Sequence, residues 1–137
     1  MLTQSQLLAM PAQDYMNAQQ SAFFKARLLE LKLETQNNLE LAKEAIARNQ
    51  QEADELDRAS LEEDNRHRMR MAERHYYLLR KIDNAFDRLA EGSYGYCQET
   101  GEPIGLARLL LRPTAELGID AKTRREHLEK NFAKQRS

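Results

Sequence analysis

Between Gly95 and Lys122 the chain carries the spacing of a metal knuckle without its donors. Two turn-forming stretches stand where a C-x2-C…C-x2-C motif would sit, and the four ligand positions read Cys97, Thr100, Gly118 and Ala121. A structural zinc site takes four good nitrogen or sulfur donors, and a hydroxyl, a hydrogen and a methyl group supply none. A structural zinc is therefore not expected. Because Cys97 is the single cysteine, neither an intrachain disulfide nor a site of several thiolates is possible. With no C-x-x-C redox partner, Cys97 reads as a small buried hydrophobe without chemistry. His67, His75 and His127 lie scattered on polar helical patterns with no H-E-x-x-H pairing, and read as surface residues. No Gly-rich phosphate loop, nucleophile elbow or Ser/His/Asp set can be assembled, so the chain is not expected to be an enzyme.

The remaining chemistry-bearing residues are charge runs. Glu52 to Asp64 holds seven acids and one base, and the basic stretch Arg66, His67, Arg68, Arg70 and Arg74 follows directly. Taken alone, the acids are a solvated tip, and the bases are partners for Glu62, Glu63, Asp64 and acids of the preceding helix, worth a few tenths of a kcal/mol per pair. With 21 Lys and Arg against 22 Asp and Glu, the formal charge is −1. No global positive field draws the protein to DNA or acidic membranes, and a partner must recognise something local.

What positions these residues is helical. A chain of 137 residues fits one compact domain, or a small domain with an elongated appendage. Five Gly and three Pro are too few turn-formers for a sandwich or barrel. From Asn17, a candidate N-cap, to Gln51 there is no Gly or Pro, and Phe24, Leu28, Leu31, Thr35, Leu39, Ala42 and Ile46 recur at helical spacing. A second pattern runs from Leu56 to Ala90 with Met69, Ala72, Tyr76, Leu79, Asp83, Phe86 and Ala90 as a seven-residue repeat, and Gly92 supplies the stop. Leu78, Ile82, Ala85 and Leu89 widen its apolar face, and Tyr76 and Tyr77 are expected at the hairpin base. Arms of this length project roughly 50 Å, more than a domain of this mass needs, although half of a four-helix bundle is the competing arrangement.

The fold class expected is mainly α: a long antiparallel coiled-coil hairpin on a small globular base, with a degenerate, metal-free zinc-finger-like module and a C-terminal helix. The boundaries are 1–16 for an N-terminal arm, 17–91 for the hairpin with its tip near 50–60, 92–121 for the module and 122–137 for the last helix. The arm, interrupted by Pro11, is expected to be flexible or loosely docked. In the module, Ile104, Leu106, Leu109, Leu110, Leu111, Leu117 and Ile119 are expected to bury the apolar surface that replaces a metal. Leu128 and Phe132 give the last helix a side to lay on the module or the hairpin base. No apolar run approaches the roughly 18 residues of a membrane span, and no signal-peptide pattern opens the chain, so the cytoplasm is expected.

The segments YMNAQQ…FF at 15–24, DELDRA at 54–59, GYC at 95–97 and above all IGLARLLLRPTAELGIDAKT at 104–123 resemble the DksA/TraR family of bacterial transcription regulators. Within it, the chain is similar to the zinc-independent paralogues whose finger cysteines are degenerate. The resemblance implies a regulator that binds bacterial RNA polymerase, inserts its coiled-coil tip into the secondary channel and alters promoter open complexes with guanosine tetraphosphate (ppGpp). It further implies a role in the stringent response, including repression of rRNA promoters, without zinc or sequence-specific DNA binding. A monomer is expected.

Residue by residue, the family's tip pattern D-x-x-D-x-A falls on Asp54, Asp57 and Ala59, with Glu55 where a Pro often stands. The polymerase-contacting arginine of the second arm falls on Arg74. The ppGpp-binding positions shared with polymerase fall on Lys81, Arg112 and Lys122, an Arg fork and two point charges suited to pyrophosphate. Two other readings stay open from the residues: a transcript-cleavage helper whose tip carboxylates position Mg²⁺, and a structural helical adaptor that docks through a coiled coil.

Overall fold

Asn17 opens the first long helix as expected: its Oδ1 accepts from the Gln20 N–H at 2.9 Å, satisfying one of the free donors of the first turn. In the computed structural model, which describes residues 2–52 and 58–136, the elements are α1 (Gln4–Ala9), a 3₁₀ turn (Ala12–Asp14), α2 (Ala18–Glu52), α3 (Arg58–Glu91), α4 (Leu106–Leu111) and α5 (Ile119–Arg136). Among these residues the only extended pairing is an antiparallel bridge between Tyr96 and Pro103. Gly92, at φ +82°, ends α3 in the left-handed conformation that a side chain disfavours. The chain divides into two units, one of residues Leu28–Asn84, the other of Met1–Arg27 with Ala85–Ser137.

Residues Leu28–Asn84 form an antiparallel helical hairpin. Lys32 Nζ meets Asp83 Oδ1 at 2.9 Å, and Asn49 Nδ2 donates to Asn65 Oδ1 at 3.4 Å. The partners' numbers sum to 115 and 114, so one helix retreats residue for residue as the other advances. This register holds over 17 residues, about 25 Å of helix. The α2 face follows the sequence pattern at every position: Leu28, Thr35 and Leu39 are buried, and Leu31, Ala42 and Ile46 half-buried. Thr35 keeps its hydroxyl satisfied by donating to the Leu31 carbonyl at 2.6 Å.

The α3 face differs from expectation. Leu61, Asn65, Arg68, Ala72, His75, Leu79 and Ile82 are buried or half-buried at alternating steps of four and three, with Met71 and Leu78 half-buried beside them. Ala72 and Leu79 belong to the expected seam, but Met69, Tyr76 and Asp83 are exposed, Tyr76 by 59%. Tyr77, expected at the hairpin base, is exposed as well. The reason is that a continuous helix has one seam, and Ile82, fully buried, sets it. Stepping back by sevens from Ile82 brings His75 and Arg68 inward, so His75 is half-buried rather than a surface residue.

The second unit starts with a correction to the N-terminal arm. Thr3 and Gln6 form a capping box at the head of α1, Leu7 is fully buried, and α1 packs on α4. Tyr15 then clamps the segment: its hydroxyl donates to the Gly95 carbonyl at 2.5 Å and accepts from the Gly105 N–H at 3.0 Å. Its ring meets Tyr96 edge-on, with centroids 5.6 Å apart. Burial pushes the Tyr15 phenol up from its ordinary value, against the donor from Gly105. Gly95, at φ +90°, has Met16 Cγ 2.8 Å from where a Cβ would stand, so a larger residue there would displace the clamp. Phe24, fully buried, packs on Tyr94 with ring centroids 5.7 Å apart.

Candidate functional site

The module after α3 is a tight turn held to a second turn. Cys97 N–H donates to the Glu102 carbonyl and Gly101 N–H to the Cys97 carbonyl, both at 2.8 Å, while Ile104 N–H returns to the Gly95 carbonyl at 2.8 Å. Gln98 N–H then reaches the Glu116 carbonyl at 2.9 Å, which brings the turn around Gly118 alongside. Three of the four ligand positions, Cys97, Thr100 and Gly118, are neighbours here: the Thr100 hydroxyl and the backbone N–H groups of Gly118, Thr100 and Glu99 lie near enough to influence the Cys97 thiol, and Ala121 is buried in the same unit.

The thiol responds to these donors. The Thr100 hydroxyl, supported by the three N–H groups and opposed by burial, pulls Cys97 down from its ordinary value to about 7. Cys97 is only 4% exposed, as expected for a small core residue, but its environment favours the thiolate, which the sequence reading missed. The signal available was Thr100 three residues on, a hydroxyl at a ligand position.

A zinc ion does not fit these residues. The donor set is one sulfur and one hydroxyl, and among the described residues no three His, Cys, Asp or Glu side chains are grouped to hold a metal. Nor does the expected leucine cluster replace the metal by itself. Leu109 is fully buried and Ile104, Leu106, Leu110 and Leu117 are half-buried, but Leu111 is 85% exposed and Ile119 is exposed too. Leu111 is the last residue of a six-residue helix, too short to turn more than one side to the core.

Polar ties supply the rest. Arg88 Nη1 meets Glu116 Oε1 at 3.2 Å, with the Arg88 side chain 7% and Glu116 38% exposed. Arg108 Nε donates to the Leu117 carbonyl at 3.0 Å, and the Tyr94 hydroxyl to the Pro113 carbonyl at 2.7 Å. Burial pushes the Tyr94 phenol far up, so it stays a donor at any physiological pH. Arg125 Nε and Glu99 Oε1, 2.8 Å apart, tie α5 to the first turn, while Leu128 and Phe132 further along are largely exposed.

The other candidate residues sit as follows. Asp54 and Asp57 lie outside the described residues, and Ala59 is exposed in the first turn of α3. Arg74 and Lys81 are exposed on α3 in the hairpin unit. Arg112, in the other unit, caps the C-terminus of α4, its N–H on the Arg108 carbonyl. Lys122 is half-buried on α5 and faces Glu126 at 3.9 Å.

A two-helix hairpin is joined in sequence to a finger-like module that keeps one of its four ligand cysteines. Two family models match the chain: "DnaK suppressor protein DksA, N-terminal domain" over residues 20–89, and "Prokaryotic dksA/traR C4-type zinc finger" over residues 92–127. The chain belongs to the DksA/TraR family. It is 44% identical over 126 residues to the RNA polymerase-binding transcription factor DksA of Caulobacter vibrioides, covering 88% of this chain and 87% of that one. Against the protein of the same description from Escherichia coli K12 the identity is 34% over 127 residues, covering 90% and 82%. The solved structure of transcription factor DksA2 from Pseudomonas aeruginosa is similar with a TM-score of 0.86 and 48% identity, over 93% of this chain and 99% of that one. The C4 in the family's description denotes four cysteines, and this chain has one.

Proposed function

We propose that this protein binds bacterial RNA polymerase and regulates transcription without catalysis of its own. The observation that carries the reading is a relative 44% identical over most of both chains and described as an RNA polymerase-binding transcription factor. The hairpin of Leu28–Asn84 supports it, since paired helices are narrow enough for the polymerase secondary channel. In this reading the hairpin presents Asp54, Asp57 and Ala59 to promoter open complexes, where carboxylates compete for polar contacts near Mg²⁺ and phosphates. Arg74 contacts the channel rim. Lys81, Arg112 and Lys122 hold ppGpp together with polymerase, which places the protein in the stringent response with rRNA promoters as repressed targets. The module needs no zinc, because hydrogen bonds and ion pairs hold the turns that a metal would join.

The test is in vitro transcription from an rRNA promoter with Asp57→Asn. Polymerase affinity is expected to stay within about twofold, an exposed charge being a minor part of binding, while repression is lost. Equal loss of affinity and repression contradicts a role confined to the tip.

A further inference from the structure

The seam of the hairpin changes character along its length. In the inner half, residues 28–39 with 75–84, Leu28, Thr35, Leu39 and Ile82 are buried, Leu79 is half-buried, and Lys32 meets Asp83 across the helices at 2.9 Å. In the outer half the enclosure ends: none of the described residues between Leu39 and Ile82 in the chain is buried. The register marked by Asn49 and Asn65 places Ala42 opposite Ala72 and Ile46 opposite Arg68. A layer of two alanines takes little apolar surface out of water. In the next layer Arg68 brings a guanidinium into the seam, and its Nη1 is buried without an acceptor among the described residues. A donor stripped of water and given no partner opposes closure. The layer after that has an amide pair 3.4 Å apart, long for an N–H···O bond. Arg66, Arg70 and Arg74 stay outward on α3, like charges one turn apart that weaken the same stretch of helix.

We infer that the layer of Ala42 and Ala72 is a joint: outward of it the two helices part and reclose while the inner half stays paired. Parting the outer half exposes little apolar surface and returns water to the Arg68 guanidinium. Parting the inner half exposes Leu28, Leu39, Leu79 and Ile82 and breaks the pair of Lys32 with Asp83. Two stretches of similar length therefore open at very different cost. Arg68 is the residue that sets the difference, because a leucine there would complete the alternation of four and three and close the outer half. Asn49 and Asn65 supply the joint's other property. A polar pair in a seam fixes register, since a slip would turn both amides against apolar side chains, and the arms reclose in the alignment they left. The joint belongs to the chain alone, so it is measured without any partner and does not depend on the function proposed above.

The experiment is native-state amide hydrogen exchange of the full-length protein, resolved along both helices. Amides of residues 42–49 and 65–72 are expected to be about 100-fold less protected than those of residues 28–39 and 79–82, with a step at Ala42 and Ala72. Arg68→Leu is expected to raise protection of the outer half about tenfold and to leave the inner half within about twofold, with helicity by circular dichroism retained. Arg68→Met, which keeps the aliphatic stem and removes the guanidinium, should act in the same direction, so the outcome does not hang on how one variant folds. Equal protection of the two halves overturns the inference. So does a smooth decline towards residues 52 and 58, which is end fraying and not a joint. Protection that rises alike in both halves of Arg68→Leu shows one cooperative hairpin and overturns it as well, and an outer half left unchanged in both variants overturns the part given to Arg68.

Discussion

The tie between Arg88 and Glu116 makes an asymmetric prediction. Arg88 is almost wholly enclosed, Nη1 is on the Glu116 carboxylate, and Nη2 is buried without an acceptor among the described residues. Replacing Arg88 by Met keeps most of the aliphatic stem and removes the guanidinium with all three of its nitrogens. The lost charge-assisted bond is worth about 1.5–3 kcal/mol, but an unsatisfied buried donor costing about 1–3 kcal/mol disappears with it. The net loss is then about 1 kcal/mol or less. Glu116→Ala does the reverse, leaving an enclosed cation with no counter-charge. For fully buried pairs that costs about 3–5 kcal/mol, and since water reaches the Glu116 carboxylate, about 2–3 kcal/mol is expected here. In the Arg88→Met background, Glu116→Ala should then cost almost nothing. Urea denaturation followed by far-ultraviolet circular dichroism reads all four corners of the cycle. Costs that add, or an Arg88→Met loss as large as that of Glu116→Ala, would refute the view that this pair holds the module by enclosing a compensated charge.

The corrected seam is tested by comparing Ile82→Ala with Tyr76→Ala: the first should lose about 2–4 kcal/mol of stability and the second less than about 0.5, whereas the reverse order would restore the seam through Tyr76. The Cys97 thiol should titrate near 7 by thiolate absorbance, and Thr100→Val, which removes the first of its donors, should move the midpoint upward; an unmoved midpoint contradicts the assignment. Because the folded value lies below the ordinary value of 9, the thiolate's contribution is fully present above the unfolded value and lost as pH falls through the folded one. The stability of the wild type relative to Cys97→Ala should therefore grow as pH rises from about 7 to about 9.

How far the sequence revealed this molecule depended on whether the deciding residues were neighbours. The α2 face, its Asn17 cap and the Gly92 stop are local patterns, and each was legible. On α3 two heptad frames share Ala72 and Leu79, and apolar Met69 and Tyr76 favoured the wrong one. Ile82 against Asp83 decided the frame, and helix continuity then carried Arg68 and His75 inward. The capping box of α1 was legible as T-x-x-Q at Thr3 to Gln6, but Pro11 drew the reading towards a loose arm. In the module the missing metal donors were plain from spacing, whereas the ties that hold it join Arg88 to Glu116 and Arg108 to Leu117, pairs that periodicity does not mark. The change in α3 from acids to bases was visible as composition. Its separation into one inward arginine and an outward row needed the seam.

The most direct measurement of the central claim is binding of purified protein to RNA polymerase core with and without a strong zinc chelator, alongside the metal content of the preparation. The protein should carry no stoichiometric zinc and bind with one affinity in both conditions. One zinc per chain, or binding and helicity that collapse in chelator, would contradict a regulator whose finger is held by its own side chains.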